Sequence, residues 1–269
     1  MEGPRTFAVA GATGRVGHHV VNVLEAAGHD VVPISRSGGV DLITGEGLAE
    51  ALGGVECVID AASGASPDQR AASEFFTAAA RNLHKAGKRA GVQRIVVVSI
   101  IGCDRFRAGY NAAKVVHEWE MRSGPISVRI LRAAQFHEIV PLLVEWGRDG
   151  EVSRVQKMRT QLVAARTVAE ALADLAADPD SAPGSASSEP ILEIAGPREE
   201  SMVEAATLLA ARTGDPIRIE GVSDPADPDR DLYEAGGLLP GAEATLAGPT
   251  FEEWLAATEL ELSAKGASG

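Results

Sequence analysis

Residues 5–37 read RTFAVAGATGRVGHHVVNVLEAAGHDVVPISRS, and this stretch decides how the rest of the chain is read. A short apolar run, TFAVAG, has the β-branched and aromatic content of a strand. It leads into glycines at 11, 14 and 17, then into apolar residues at helical spacing, then into a second strand-like run, DVVPIS. Strand, glycine turn and helix in that order make an anion-binding device, because N–H groups at the helix start point outward and the helix dipole favours negative charge. Gly11 permits the tight turn, Gly14 lets backbone approach a pyrophosphate, and Gly17 lets the helix lie close to the strand. Thr13, Arg15 and Val16 complete the turn. A lone glycine pattern is a weak signal; the strand before it, the helix after it and the next strand about a dozen residues on make it a dinucleotide-binding signal.

The second run ends in Ser35-Arg36-Ser37. An acid at that place accepts hydrogen bonds from the adenine ribose hydroxyls and favours NAD(H). An Arg flanked by hydroxyls instead suits a 2′-phosphate through charge-assisted bonds, so the expected cofactor is NADP(H) rather than NAD(H). Arg15 is placed to add to the same pocket. Asp41 and Leu42 are expected beside the adenine, and Ala61, Ala62 and Ser63, at the end of a third apolar run, beside the cofactor as well.

Outward from this stretch, the apolar runs VECVIDAAS, RIVVVSIIG and SVRILRA alternate with helical stretches over 45–52, 67–90 and 108–122. The alternation predicts an α/β fold of Rossmann type, a doubly wound parallel sheet with helices on both faces and a small C-terminal substrate-binding part. After about residue 135 the rhythm loosens. Helices are expected over 137–146, 167–178, 200–213 and 251–262, and strands at ILEIAG and 217–220. PDSAPGSASSEP, residues 179–190, reads as a surface insertion. The chain is read as one domain, 1–269, with residues 135–161 and 190–250 as substrate-binding segments within it.

Composition narrows the function. Apolar residues are 45% and charged residues 23% of the 269, near globular averages. No apolar run is long enough to span a membrane and the opening residues lack a signal pattern, so a cytoplasmic location without membrane association is expected. A net charge of −13, from 38 acids and 25 bases, disfavours direct nucleic-acid binding. The one locally basic stretch, HKAGKRAGVQR at 84–94, reads as a helix end where cations offset the dipole. Cys57 and Cys103 lie far apart, and the six histidines form no HExxH or HxH pattern, so no metal is expected.

AGATGRVG, VVVSIIGCD, YNAAK and ILRAAQFHEIV, with LEIAGPRE and FEEWL late in the chain, resemble the atypical short-chain dehydrogenase/reductases, specifically the NmrA-like NAD(P)H-binding group. The resemblance runs over nearly the whole chain and implies catalytic roles for Ser99, Tyr110 and Lys114. Ser99 closes an apolar strand, at the sheet edge where ligands bind in open α/β folds. Tyr110 and Lys114 are spaced i, i+4, which puts both on one helix face. The resemblance implies a Lys ammonium that lowers the tyrosine pKa and bonds the nicotinamide ribose, with Ser99 holding a substrate oxygen and Tyr110 supplying the proton. Gln135, Phe136 and His137, after the fifth strand, are expected to line the pocket of a small-molecule substrate. Three functions stay open on this reading: an NADPH-dependent reductase of a carbonyl or activated double bond, a non-catalytic NADP(H) sensor, and an epimerase or dehydratase.

Overall fold

The computed structural model describes residues 4–178 and 191–266. The surface insertion expected at 179–190 lies outside the described residues. The first strands and helices follow the sequence pattern: β1 (Thr6–Ala10), α1 (Gly17–Ala26), β2 (Asp30–Ile34), α2 (Leu48–Ala51), β3 (Cys57–Asp60), α3 (Gln69–Ala90), β4 (Arg94–Ile100), α4 (Gly109–Arg122) and β5 (Ser127–Ala133). The rest of the chain forms α5 (Val140–Trp146), β6 (Arg148–Asp149), β7 (Val152–Gln156), β8 (Arg159–Thr160), α6 (Ala165–Ala177), β9 (Ile191–Ala195) and β10 (Glu200–Ser201). It ends with α7 (Met202–Thr213), β11 (Arg218–Val222), α8 (Arg230–Glu234), β12 (Thr245–Leu246) and α9 (Phe251–Gly266).

Among the described residues, the central sheet has seven strands in the order β12-β9-β5-β4-β3-β1-β2. The pairs β1–β2, β1–β3, β3–β4 and β9–β12 are parallel. This is a Rossmann-type α/β fold. Strand order reverses at β1: the chain steps outward to β2, then returns to lay β3 on the other side. Adjacent residues of one strand point to opposite sheet faces, and Phe7 with Ala8, Val58 with Ile59 and Val96 with Val97 are all fully buried. Helices therefore cover both faces, which is why these strands read as unbroken apolar runs.

The chain gathers into two compact units, residues 1–132 with 168–192, and residues 133–167 with 193–269. The reason is a second apolar nucleus. Val140, Val144, Val155, Leu162, Met202, Ala206, Phe251 and Leu255 gather in their own core. In that unit β7 pairs with β11 in parallel and with β6 antiparallel, so residues 152–156, within the segment 135–161 expected to bind substrate, form a strand. The helix expected over 137–146 begins as a 3-10 turn, His137–Ile139, before Val140.

In the first unit, α3 ends as its basic stretch predicts, with Lys88 and Arg89 in the last turn and Gly91 left-handed at φ 83°. Arg94 has another task. Buried in β4, it donates from Nε and Nη2 to the carbonyl of Ala176 at 3.2 and 2.6 Å, while Arg5 Nη1 donates to the carbonyl of Ala177 at 2.8 Å. The last carbonyls of a helix lack partners within it, so Arg94 of β4 and Arg5, just before β1, close the C-terminal end of α6. Arg94→Met keeps the stem and removes the donors. It should lower stability by about 2 kcal/mol, read as a shifted urea midpoint with an unchanged slope.

Candidate functional site

The glycine turn lies at the carboxyl end of β1, beside β3, at the point where the strand order reverses. Gly11 has φ 76°, and a Cβ there would sit 2.7 Å from Ala62 Cα and 2.8 Å from the Ala61 carbonyl oxygen. A Cβ on Gly17 would sit 2.1 Å from the Gly11 carbonyl oxygen, so α1 presses directly on the turn. Gly14 has no such obstacle: its closest approach is 3.1 Å, and it is exposed with Thr13 and Arg15. Gly11 and Gly17 are thus glycines because of the fold, and Gly14 faces outward. Helix α1 starts with no side chain capping it. Such a cradle, with the N-terminal turn of a ten-residue helix behind it, fits a dinucleotide pyrophosphate.

At the end of β2, Ser35 caps a 3-10 turn over Arg36–Gly38, its Oγ accepting from the Gly38 N–H at 3.2 Å and lying 3.1 Å from Ser37 Oγ. Arg36 is exposed. The loop that follows is held by its own contacts. Asp41 Oδ1 accepts from the backbone N–H of Ile43 (2.6 Å) and Thr44 (3.1 Å), so this carboxylate holds its own turn. Leu42 is buried in the first unit's core, and Asn82 ties down the Leu42 and Ile43 carbonyls. Past β3, Ala61 and Ala62 back the glycine turn and Ser63 is exposed.

Beneath this edge lies a buried line of three ionisable side chains. Asp60, the last residue of β3, receives a hydrogen bond from His117 Nε2 at 3.0 Å. His117 Nδ1 lies 2.8 Å from Lys114 Nζ, which also donates to the Val98 carbonyl at 2.8 Å. The Phe76 ring stacks on His117 at 4.3 Å, and the Lys114 ammonium lies over the same ring at 4.6 Å. Burial drives the Lys114 pKa down to about 8 although Asp60 opposes the shift. For His117, burial and then the Lys114 charge push the pKa below the usual value. Burial alone would raise Asp60, but the hydrogen bonds from His117 and from the Ala62 N–H, together with the Lys114 charge, hold the carboxyl below its usual range.

A second network adjoins it. Arg132 donates from Nε and Nη2 to the Glu118 carboxylate at 2.9 and 2.8 Å, and both residues are buried. Cys103 Sγ donates to Glu118 Oε1 at 3.4 Å, and Ser99 Oγ lies 3.9 Å from that sulfur. Burial works to raise Glu118, but the Arg132 hydrogen bonds prevail and keep it ionised.

Against this geometry the residues implied by the resemblance separate. Ser99 does end the apolar part of β4, yet it is 2% exposed and turned to Cys103 instead of standing open at the edge. Tyr110 and Lys114 share α4, but the ammonium is held by Val98 and His117, and the phenol is not lowered. Burial, then the Asp60 charge, push the Tyr110 pKa up to about 12, with Arg15 of the glycine turn pulling the other way. The Tyr110 ring packs on Phe76, with ring centroids 5.8 Å apart. In the second unit, Gln135 Oε1 accepts from Thr160 Oγ1, and Phe136 is half-buried. His137 is fully buried between Phe251 and Trp254, with ring centroids at 5.6 and 5.4 Å. The apolar core there claims the whole ring.

Asp60, His117, Glu118, Cys103 and Arg132 were not among the residues singled out for chemistry. A signal existed for two of them, since His117 and Glu118 stand i+3 and i+4 from Lys114 on the same helix. Among the described residues, no group of three or more His, Cys, Asp or Glu could hold a metal ion.

A family model described as NAD(P)H-binding matches residues 11–179. The chain belongs to that family. No curated protein matches the chain. Among solved structures it is similar to a short-chain dehydrogenase/reductase superfamily protein from Agrobacterium tumefaciens with bound NAD, at 18% identity over 98% of this chain and 100% of that one, TM-score 0.64. It is similar also to an NAD-dependent NDP-hexosamine 5,6-dehydratase of tunicamycin biosynthesis, at 18% identity over 94% and 95% of the two chains, TM-score 0.64. A third is an NADPH-dependent quinone oxidoreductase from Escherichia coli complexed with NADPH, at 18% identity over 94% and 99%, TM-score 0.63. These likenesses show the fold alone, a Rossmann-type α/β fold.

Both cysteines of this NAD(P)H-binding protein are buried, and burial raises each thiol to about 12. Neither forms appreciable thiolate near neutral pH. Ellman's reagent at about pH 8 should therefore find no fast thiol in the native protein and two after unfolding in guanidinium.

Proposed function

We propose that the protein is an NADPH-dependent oxidoreductase that reduces a carbonyl or activated double bond of a small molecule. The observation that carries this reading is that the glycine turn and the Tyr110–Lys114 helix converge on the end of β3: Lys114 is tied through His117 to Asp60, next to the Ala61 and Ala62 that back the turn, and the Tyr110 ring packs at 5.8 Å on Phe76, over which the Lys114 ammonium lies. Bound there, the nicotinamide cofactor supplies a hydride. The chain supplies the rest. Backbone at Gly14 and the open start of α1 face the pyrophosphate, and Arg36 with Ser35 and Ser37 suits a 2′-phosphate. Tyr110, with its pKa near 12, stays protonated throughout the physiological range, so it is in the form a general acid needs, although a weaker acid than one tuned to neutrality. Lys114 places a buried positive charge in the same region.

One observation favours a second reading, a binding protein that senses NADP(H) without turnover. The Lys114 ammonium is engaged by Val98 and His117, so the phenol lacks the cationic neighbour the resemblance implies. Turnover separates the two: a reductase consumes NADPH with some carbonyl or quinone substrate, and a sensor does not. A cytoplasmic location fits either reading; among the described residues no helix is long and apolar enough to cross a membrane.

NADPH should bind at least about tenfold more tightly than NADH, ~1.4 kcal/mol by calorimetry, and Arg36→Asp should abolish or invert the preference. Equal affinities in the native protein would remove the case for NADP(H). Once a substrate is found by screening, Tyr110→Phe should keep NADPH affinity while turnover falls by about 10² or more. Undiminished turnover in that variant would take the proton donor away from Tyr110.

A further inference from the structure

Asp60 and His117 are buried polar groups at this edge to which the proposed reaction gives no task, and their chemistry is constrained. An ammonium only donates hydrogen bonds, so His117 Nδ1, 2.8 Å from Lys114 Nζ, must accept. The imidazole hydrogen is then on Nε2, and it is donated to Asp60 Oδ2 at 3.0 Å. The imidazole is neutral. Across it stand one carboxylate and one ammonium, so the line as a whole carries no net charge. Protonating His117 would aim an N–H at the ammonium, and deprotonating Lys114 would leave Asp60 uncompensated; each is costly in a buried site.

The surrounding groups leave Asp60 as the balancing anion. Facing Lys114 are His117 and Glu118 on its own helix, Asp60 from β3, Cys103 from the turn after β4, and the Phe76 ring from α3. Glu118 is occupied by the bidentate Arg132, and Cys103 is a neutral thiol. Facing Asp60 besides His117 are the Ala62 N–H at 3.0 Å, which belongs to the residue backing the glycine turn, and the charge of Lys114.

We propose that Asp60 and His117 are positioning residues for Lys114: the imidazole passes the Asp60 charge to the ammonium and pins it against the Val98 carbonyl, so that Lys114 keeps its proton, and its attraction for the anionic cofactor, inside the protein. The claim about cofactor rests on the oxidoreductase reading above; the claim about the proton does not. Asp60 thereby serves both sides of the edge, holding the Ala62 N–H behind the glycine turn and balancing the charge below it.

The test reads Lys114 directly. Isotope-edited NMR of the lysine ε-methylenes, with the Lys114 signal assigned by its loss in Lys114→Met, follows its titration in the ligand-free protein. In the native chain the midpoint should lie well below the lysine reference value of about 10.4. Asp60→Asn, which keeps size and one acceptor oxygen, should lower it further by about one unit or more, as should His117→Phe, which keeps the stack on Phe76 and removes the acceptor. His117→Asn, whose amide oxygen can take the place of Nδ1, should restore part of the shift. Calorimetry then follows NADPH affinity, which should weaken about tenfold as Lys114 loses its proton, with the break moving to lower pH in Asp60→Asn.

A native midpoint near the reference value overturns the proposal whatever the variants do. So does an unchanged midpoint in either substituted chain that keeps native circular dichroism. If native protein binds no NADPH at any pH while Lys114 titrates as described, the function reading fails and the positioning of Lys114 stands.

Discussion

The structure depends on one close approach, where α1, the glycine turn and the residues after β3 meet with no room for a β-carbon. A Cβ on Gly17 would lie 2.1 Å from the Gly11 carbonyl oxygen and one on Gly11 would lie 2.7 Å from Ala62 Cα. Three backbone segments thus converge at the position where the strand order turns back on itself. That convergence aims the start of α1 outward, and it brings the end of β3, with Asp60, under the same edge. Everything described for the site follows from it: the anion cradle lies above, and the buried ionic line lies below.

The second constraint is charge in a place water does not reach. Lys114, His117, Asp60, Glu118 and Arg132 are all within the protein, and each has its partner within hydrogen-bonding distance. Buried ionic groups of this kind contribute little net stability against an apolar replacement, yet breaking up a set by removing one member is costly. Their use is in geometry. The line from Asp60 joins β3 to α4, and the pair Glu118–Arg132 joins α4 to β5, so α4 is registered on the sheet by polar contacts as well as by Ala113 and Met121 in the core.

Most of the fold was legible because the first unit obeys period. Unbroken apolar runs gave β1, β3 and β4, glycine spacing gave the turn, and Lys88, Arg89 and Gly91 marked the end of α3. The second unit resisted, since its strands are short and mostly polar: β7 reads VSRVQ, and what makes it a strand is pairing with β11, more than sixty positions away. At the site, sequence identified side chains that could do chemistry but not the directions in which they point. Ser99 sits where the strand pattern puts it, and faces inward because Cys103 and Glu118 offer partners there. His137 lies next to the expected loop, and an apolar cluster takes its ring. Asp60 was visible only as the one polar residue closing an apolar strand, and its partner lies 57 residues further along. Long-range pairing of this type leaves no local trace.

The closing of α6 by Arg94 and Arg5 has a consequence for how the chain is made. Residues 168–192 belong to the first unit, but 133–167, which belong to the second, are synthesised before them. As the chain leaves the ribosome, Arg5 and Arg94 emerge some eighty or more positions ahead of the carbonyls they will bind. The first unit is therefore unfinished when the second begins to appear, and no single cut in the polypeptide yields either one whole. Their folding is tied together by the order of synthesis, quite apart from any chemistry at the cofactor edge.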